Sequence, residues 1–432
     1  MIGGIVFPAS STVSLEILTS LNYIKNINII GVNSTSNYEY KYLFEKTFDE
    51  CPYIDKNEND CINYLIKICL ENNCNFIIPT MDYSHLILSK YENIFKNNKI
   101  KIISSSYETN KICISKKNTY LTLKNIISCP FIYNKIDIKD SLFPVFLKPD
   151  IGYGSKNCHI IKNIDEFSKI YNDESMLILE YLTGDEYTVD CFTTDKLLYF
   201  QIRKRVLYKN GLSIITETEN IDSLLFKNIE EYANKINDNI HFKGAWFFQI
   251  KLNKDNKFKL LEISTRIAGA SSINHLNGCN LILLSIFYHF NYPININKNK
   301  HCFTVYKYLT NYINFNTLDI YENIYIDLDD TLIIKEKINE KMIYFIYKCI
   351  NKNKNIYLIS RHKSDILLTL KEKKINIDIF TEIIHIENIT SLKSTYIKEN
   401  SIFIDDSFSE RLDVSSKIKN ILVVDVNFIN FF

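Results

Sequence analysis

Glycine is scarce in this chain and unevenly spread, which limits where the backbone can turn tightly or approach another group closely. Ten glycines serve 432 residues, well below the usual share of roughly 7 %. Seven lie between Gly152 and Gly278, and none follows Gly278. A chain this sparing is expected to keep glycine where geometry demands it. Two such places stand out. In residues 143–161, FPVFLKPDIGYGSKNCHII, a strand ends at Lys148, a loop carries Gly152 and Gly154, and a second strand follows. This order excludes a phosphate loop of the kind that opens a helix. The amides of such a hairpin can still fold over phosphates, with Lys148 adding a point charge; an ordinary hairpin turn is the alternative. In residues 177–192, LILEYLTGDEYTVDCF, an apolar strand ends at Glu180, crosses Tyr181 and Leu182, turns at Gly184 and leaves as a strand. A hinge of this kind offers backbone groups to an adenine edge. Glu180 and Glu186 can accept hydrogen bonds from amino or hydroxyl groups, although surface carboxylates beside a turn have the same pattern.

A second stretch carries chemistry. Residues 244–270, GAWFFQIKLNKDNKFKLLEISTRIAGA, form two strand patterns joined by a polar turn at 253–256. Strand side chains alternate faces, so Glu262, Ser264 and Arg266 share one face and a hairpin sets Gln249 opposite them. An amide oxygen, a carboxylate, a hydroxyl and a guanidinium suit a magnesium–phosphate site; a half-buried strand pair with polar ends is the other reading. Upstream, SKKNTYLTLKNIISCPF starts a helix with Lys116, which can reach a phosphate. Arg203, Lys204 and Arg205 cluster near Gly211 and suit either an anionic substrate or a solvated strand face.

Residues 1–107 alternate strand and helix patterns, which implies a parallel sheet with helices on both sides. The turn at residues 8–12, PASST, precedes a helix, so it can bind an anion or simply cap. It lacks GxGxxG, which argues against a dinucleotide site. After about residue 318 a separate unit begins. Three apolar strands each deliver hydroxyl or carboxylate groups: NIYI runs into Asp327-Leu328-Asp329-Asp330-Thr331, a second ends at Ser360, and a third at Asp405-Asp406. Open α/β sheets place their sites at that end of the strands.

In residues 1–315 the ordered motifs SKKNTY, FLKPDIGYGS, LEYLTGDEYTVD and FFQIKLNKDNKFKLLEISTRIAG together resemble the ATP-grasp superfamily, specifically its carbamoyl-phosphate-synthase-like carboxylate–amine ligases. The resemblance implies an α/β architecture. A Rossmann-like preATP-grasp domain (1–107) would precede a two-lobed α+β ATP-grasp domain (108–318) closing on ATP and magnesium or manganese. It further implies that Lys116 and Lys148 contact the phosphates under the Gly152–Gly154 loop. Glu180 with the Tyr181–Leu182 backbone would hold adenine, and Glu186 the ribose. Gln249 and Glu262, with Ser264 where the family usually has asparagine, would ligate metal. Arg266 would stabilise an acyl-phosphate and Arg205 help position phosphate or carboxylate. Ser115 stands where the family usually has aspartate. Residues 319–432 resemble haloacid-dehalogenase-like phosphatases through DLDDT, Ser360, Lys393 and Asp405-Asp406. That resemblance implies a capless Rossmannoid domain with Asp327 as nucleophile and Asp329 as acid/base. Ser360 and Lys393 would bind phosphate, and Asp327, Asp405 or Asp406, and the backbone carbonyl of Asp329 would hold magnesium. Helix-capping aspartates are the structural alternative. The segments between Asp327, Ser360 and Lys393 leave no room for a cap domain, so the site is expected to be open.

Hydrophobic residues are 46 %, charged residues 23 % and the net charge +1, so nothing points to nucleic acid or an anionic membrane as partner. No apolar run approaches the roughly 18 residues of a membrane span. Eleven cysteines without a CxxC pair argue against a disulfide framework or zinc site and fit reduced thiols. The N-terminal MIGGIVFPAS lacks a basic and then apolar leader. A cytoplasmic, bifunctional enzyme is expected: a ligase joining a small-molecule carboxylate to an amine, with a phosphatase acting on a phosphorylated metabolite. The alternatives are a small-molecule kinase on the same scaffold and a non-catalytic nucleotide sensor. Oligomeric state is not encoded in any of these patterns.

Overall fold

The computed structural model describes residues 2–426, apart from 22, 23, 25, 40, 153, 172–174, 210, 211, 219–222, 272, 298–303, 308–319 and 389. Its contacts divide the chain into two units, Met1–Tyr308 and Leu309–Phe432. The expected boundary between 318 and 319 and the glycine at 211 lie outside the described residues.

The first unit opens with five parallel strands, Ile2–Phe7, Ile27–Val32, Thr47–Phe48, Cys74–Pro79 and Lys101–Ile102. In space they run third, second, first, fourth, fifth. Alternation along the first strand sends its side chains to two cores. Ile5 and Phe7 pack with Cys61 and Leu65 of the helix Glu58–Glu71. Val6 packs with Val13 and Ile17 of the helix Thr12–Leu21. Both faces are thereby covered, as a parallel sheet requires. The turn at residues 8–12 resolves as a cap: Ser11 Oγ accepts from Val13 N at 3.2 Å.

Two antiparallel sheets follow. The smaller orders its strands Ile132–Tyr133, Met176–Glu180, Val145–Pro149, His159–Ile161. The larger orders Phe258–Ser264, Gly244–Leu252, Glu186–Thr193, Leu197–Lys209, Leu212–Glu217, Thr304–Tyr306. One face of the larger sheet carries Val189, Cys191, Trp246, Phe248 and Leu260 onto Ile229, Ala233 and Ile236 of the helix Ser223–Asn239. Each such fully buried large side chain contributes about 1.5–3 kcal/mol. Because that face takes the apolar residues, the intervening positions Glu186, Thr188, Asp190 and Gln249 share the other, and a bulge between Leu260 and Glu262 turns Glu262 to the same side. The sequence-predicted hairpin appears in register, with Gln249 opposite Glu262 and Phe247 opposite Ser264.

The second unit has five parallel strands ordered Glu382–His385, Asn355–Ser360, Asn323–Ile326, Ser401–Ile404, Ile421–Val424. Ile324, Ile326 and Leu358 face the helices Glu340–Asn351 and Ile366–Glu372. Tyr325, Tyr357 and Phe403 face Val414 of the helix Phe408–Lys417. Between Asp327 and Ser360 lie only a short hairpin, one helix and one strand. Every described cysteine is free. No described helix is long and apolar enough to cross a membrane.

Candidate active sites

A cleft of about 920 Å³, counted out to its mouth, lies between the two antiparallel sheets. Eleven of the residues singled out from sequence line it: Lys116, Lys148, Gly152, Gly154, Glu180, Tyr181, Leu182, Glu186, Arg205, Gln249 and Glu262. Lys156 and Lys251 join them, so five cations face three carboxylates, a balance suited to a polyanion. Lys251 follows Gln249 by two residues on one strand; its spacing carried the signal, and the sequence reading missed it.

Each lysine is aimed by local structure. Ser115 caps the helix Lys116–Leu123, accepting from Asn118 N at 3.0 Å. Asp150 accepts from Ser115 Oγ at 2.8 Å and from Lys117 N at 2.7 Å, so a carboxylate distant in sequence anchors the helix start. Lys116 Nζ then donates to Asp150 O at 3.2 Å and Gly152 O at 3.1 Å, tying it to the glycine loop. Lys148 Nζ donates to Tyr120 OH at 2.8 Å and Leu261 O at 2.9 Å, and Tyr120 OH donates to the same carbonyl at 2.6 Å. Burial pulls the Lys148 ammonium down to about 8; Glu262 opposes that shift and Lys116 adds to it.

At the hinge, Glu180 accepts from Phe131 N at 2.9 Å and pairs with Lys259 at 3.0 Å. Glu186 pairs with Arg205 and with Lys251 at 3.5 Å. Gln249 and Glu262, facing each other across the hairpin and both in the cleft wall, supply oxygen donors of the kind a hard divalent cation takes.

Ser264 and Arg266 are placed differently. Neither is in the lining of the cleft. Both meet Asp82, the first residue of the helix Asp82–Lys90. Ser264 Oγ donates to Asp82, and Arg266 Nε and Nη2 each lie 3.1 Å from its carboxylate. Arg266, with the Ser264 hydroxyl, outweighs burial and lowers the Asp82 carboxyl. Within the basic cluster, Arg203 is spent on a buried pair with Asp190, at 2.6 Å and 2.9 Å. Asn277 is buried and donates to Gln201 Oε1 at 2.9 Å. His275 meets Ser20 Oγ at 3.0 Å.

In the second unit, Asp327, Ser360 and Asp405 stand at the C-terminal ends of three adjacent strands. Lys393 Nζ bridges Asp327 Oδ1 at 2.6 Å and Asp405 Oδ2 at 2.7 Å. Oxygens of Asp327, Asp405 and Asp406 lie within 4.8 Å of one another, a compact hard-donor set that fits magnesium. Burial raises Asp327, against the pull of Lys393. Burial works against the Lys393 ammonium too, but the two carboxylates raise it overall. Thr331 Oγ1 accepts from Asp406 N at 3.2 Å, joining the first and last of these segments. Asp329 turns away from this group to His362, whose Nδ1 is 3.0 Å from both carboxylate oxygens. His362 went unmarked in the sequence, where a lone histidine carries no pattern.

Two antiparallel sheets clasping a cation-lined cleft, behind a five-stranded parallel sheet, make an ATP-grasp fold. Residues 172–309 match the model of a family described as ATP-grasp in the biosynthetic pathway with Ter operon. Over 143 residues the chain is 27 % identical to a D-alanine–D-alanine ligase of Lawsonia intracellularis, covering 30 % of this chain and 47 % of the ligase. The chain thus spans about half the length of that curated relative. An N5-carboxyaminoimidazole synthetase of Staphylococcus aureus, complexed with ADP, superposes with a TM-score of 0.55 at 16 % identity, over 69 % of this chain and 79 % of that one. A biotin carboxylase of Campylobacter jejuni, in a β,γ-ATP complex, gives 0.54 at 16 %, over 68 % and 72 %. At these identities the likeness is one of fold.

Proposed function

We propose that the first unit is an ATP-dependent carboxylate–amine ligase and the second a magnesium-dependent phosphatase. One observation carries the ligase reading: residues marked in five separate sequence segments, from Lys116 to Glu262, line one cleft. Lys116 and Lys148 hold the ATP phosphates, with the Gly152–Gly154 loop above them. Glu180, Tyr181 and Leu182 take adenine and Glu186 the ribose. Gln249 and Glu262 would hold magnesium, whose charge offsets that of the phosphates. A substrate carboxylate oxygen attacks the γ-phosphorus and ADP leaves. The amine nitrogen then attacks the acyl carbon, phosphate departs with the bonding pair, and the nitrogen gives up a proton. Arg266 serves the acyl-phosphate in this reading, which requires it to exchange Asp82 for substrate. The relatives named as D-alanine–D-alanine ligase and N5-carboxyaminoimidazole synthetase support a small-molecule ligase. Incubation with ATP, magnesium and candidate acid–amine pairs is expected to release ADP, and hydroxylamine is expected to trap the acyl-phosphate. A stable phosphorylated product would instead indicate a kinase. Failure to bind ATP, with no ADP from any pair, would overturn both.

For the second unit, the bridging of Asp327 and Asp405 by Lys393 beside the Asp327–Asp405–Asp406 oxygens carries the phosphatase reading. Asp327 attacks phosphorus, Asp329 protonates the departing oxygen and then deprotonates water, and Ser360 with Lys393 holds the phosphoryl oxygens. Asp327→Asn is expected to abolish 4-nitrophenol release from 4-nitrophenyl phosphate; unchanged release would refute the assignment.

A further inference from the structure

Among the described residues, the Asp329 carboxylate has one hydrogen-bond partner. Asp329 is 53 % exposed at its side chain, so solvent alone would leave it free among rotamers. Its only hydrogen-bond partner among the described residues is His362, with Nδ1 3.0 Å from each carboxylate oxygen. His362 is itself held at its ring and at its backbone. Nε2 lies 2.9 Å from Thr369 Oγ1, and the His362 carbonyl accepts from His385 Nε2 at 2.8 Å. Thr369 donates its hydroxyl proton to Asp365 O at 3.0 Å, so its oxygen is left to accept from Nε2–H. Nδ1 then faces the carboxylate, and the contact is a hydrogen bond only with a proton between them. An acid that must deliver a proton to a departing oxygen needs that proton held in one place.

We propose that His362, fixed by Thr369, is the positioning residue for Asp329, holding its carboxyl group in one orientation for proton delivery to the leaving oxygen. The inference rests on the phosphatase reading. In the first step a P–O bond forms to Asp327 while the bond to the leaving oxygen breaks, and that oxygen takes the Asp329 proton. In the second, water attacks phosphorus, its proton passes to Asp329, and the Asp327–phosphorus bond breaks to release phosphate. Only the first step depends on the leaving group. A nitrophenolate departs well without a proton, and a phenolate does not.

The test compares kcat/KM for phenyl phosphate and 4-nitrophenyl phosphate in the full chain. His362→Ala is expected to lower the phenyl phosphate value about tenfold or more beyond any loss on the nitrophenyl ester. It should lower kcat on both esters where the shared second step limits turnover. His362→Asn, whose amide oxygen can still accept from the Asp329 carboxyl, should restore part of the difference, and Thr369→Val should reproduce it in weaker form. Added to Asp329→Asn, the His362→Ala change should cost nothing further. If the parent chain hydrolyses both esters and His362→Ala or Thr369→Val lowers them equally or not at all, the positioning role is refuted while the phosphatase reading stands. If the parent chain hydrolyses neither, both fall together.

Discussion

At the scale of single residues, two buried basic side chains have opposite tasks. Lys148 sits under the cleft with its ammonium on Tyr120 OH and Leu261 O, two neutral oxygens that satisfy donors without cancelling charge. Burial brings it down to about 8, and a phosphate arriving beside it would favour the charged form. Lys148→Met is expected to weaken ATP binding about 10- to 100-fold by calorimetry, the equivalent of one charge-assisted contact; an unchanged Kd would remove Lys148 from the site. His85 is kept neutral instead. It is buried between Ser104 Oγ at 2.7 Å and Pro79 O at 2.9 Å, and burial takes it from 6.5 to about 4. Asp82 pulls the other way and Arg266 adds to the depression. The unfolded chain therefore binds a proton between pH 6.5 and 4 that the folded chain refuses. Stability contributed by the neutral ring is full above 6.5 and is lost as pH falls toward 4, on the order of 3 kcal/mol. His275 and His289, also lowered by burial, act in the same direction. Denaturant titrations at pH 7 and pH 4.5 should show this slope, and His85→Gln should flatten part of it; an identical slope in the variant would contradict the assignment.

At the scale of elements, the hinge and the hairpin of Gln249 and Glu262 are stitched together. Gly184 N donates to Leu252 O and Leu252 N to Asp185 O, both at 2.9 Å. A Cβ on Gly184 would sit 2.6 Å from Leu252 Cβ and 2.9 Å from Leu252 O, neither of which can swing aside. Gly184→Ala is expected to cost about 1–3 kcal/mol and to weaken ATP binding by parting hinge from hairpin, read as a lower Tm and a higher Kd; a variant as stable as the parent would contradict it. These elements were legible because their signals are local. The polar turn at 253–256 set the hairpin that pairs Gln249 with Glu262, a sparing use of glycine marked the loop at 152–154, and strand ends marked Asp327, Ser360 and Asp405; the bulge beside Glu262 left no mark. What stayed hidden is contact between distant side chains. Asp82 takes Ser264 and Arg266 from more than 180 residues away, Asp150 anchors a helix 34 residues upstream, and Asp190 absorbs Arg203 from a basic cluster that looked available. Periodicity reports which face a residue occupies, not which partner waits there.

At the scale of the whole molecule, the two sets of chemical groups share no residue. Lys116 through Glu262 belong to the Met1–Tyr308 unit and Asp327 through Asp406 to Leu309–Phe432. Each set is completed by hydrogen bonds within its own unit: Lys148 to Leu261, Lys116 to Gly152, Lys393 to Asp327 and Asp405. Substitutions at sites with no shared partners combine additively, so each activity should fail alone. Glu262→Gln keeps the shape of the cleft wall but removes the negative charge facing Gln249. It is expected to lower ATP-dependent ADP formation by about 10²–10³ while 4-nitrophenol release from 4-nitrophenyl phosphate stays at the parent rate. Asp327→Asn removes the proposed nucleophile of the other unit and should lower nitrophenol release by about 10³ or more, on the order seen when a covalent catalyst is deleted, with ADP formation unchanged. ADP and nitrophenol are read separately, so phosphate from one reaction cannot be mistaken for the other. Loss of both activities in either single variant would mean that the two chemistries are coupled, and the picture of two self-sufficient sites on one chain would have to be abandoned.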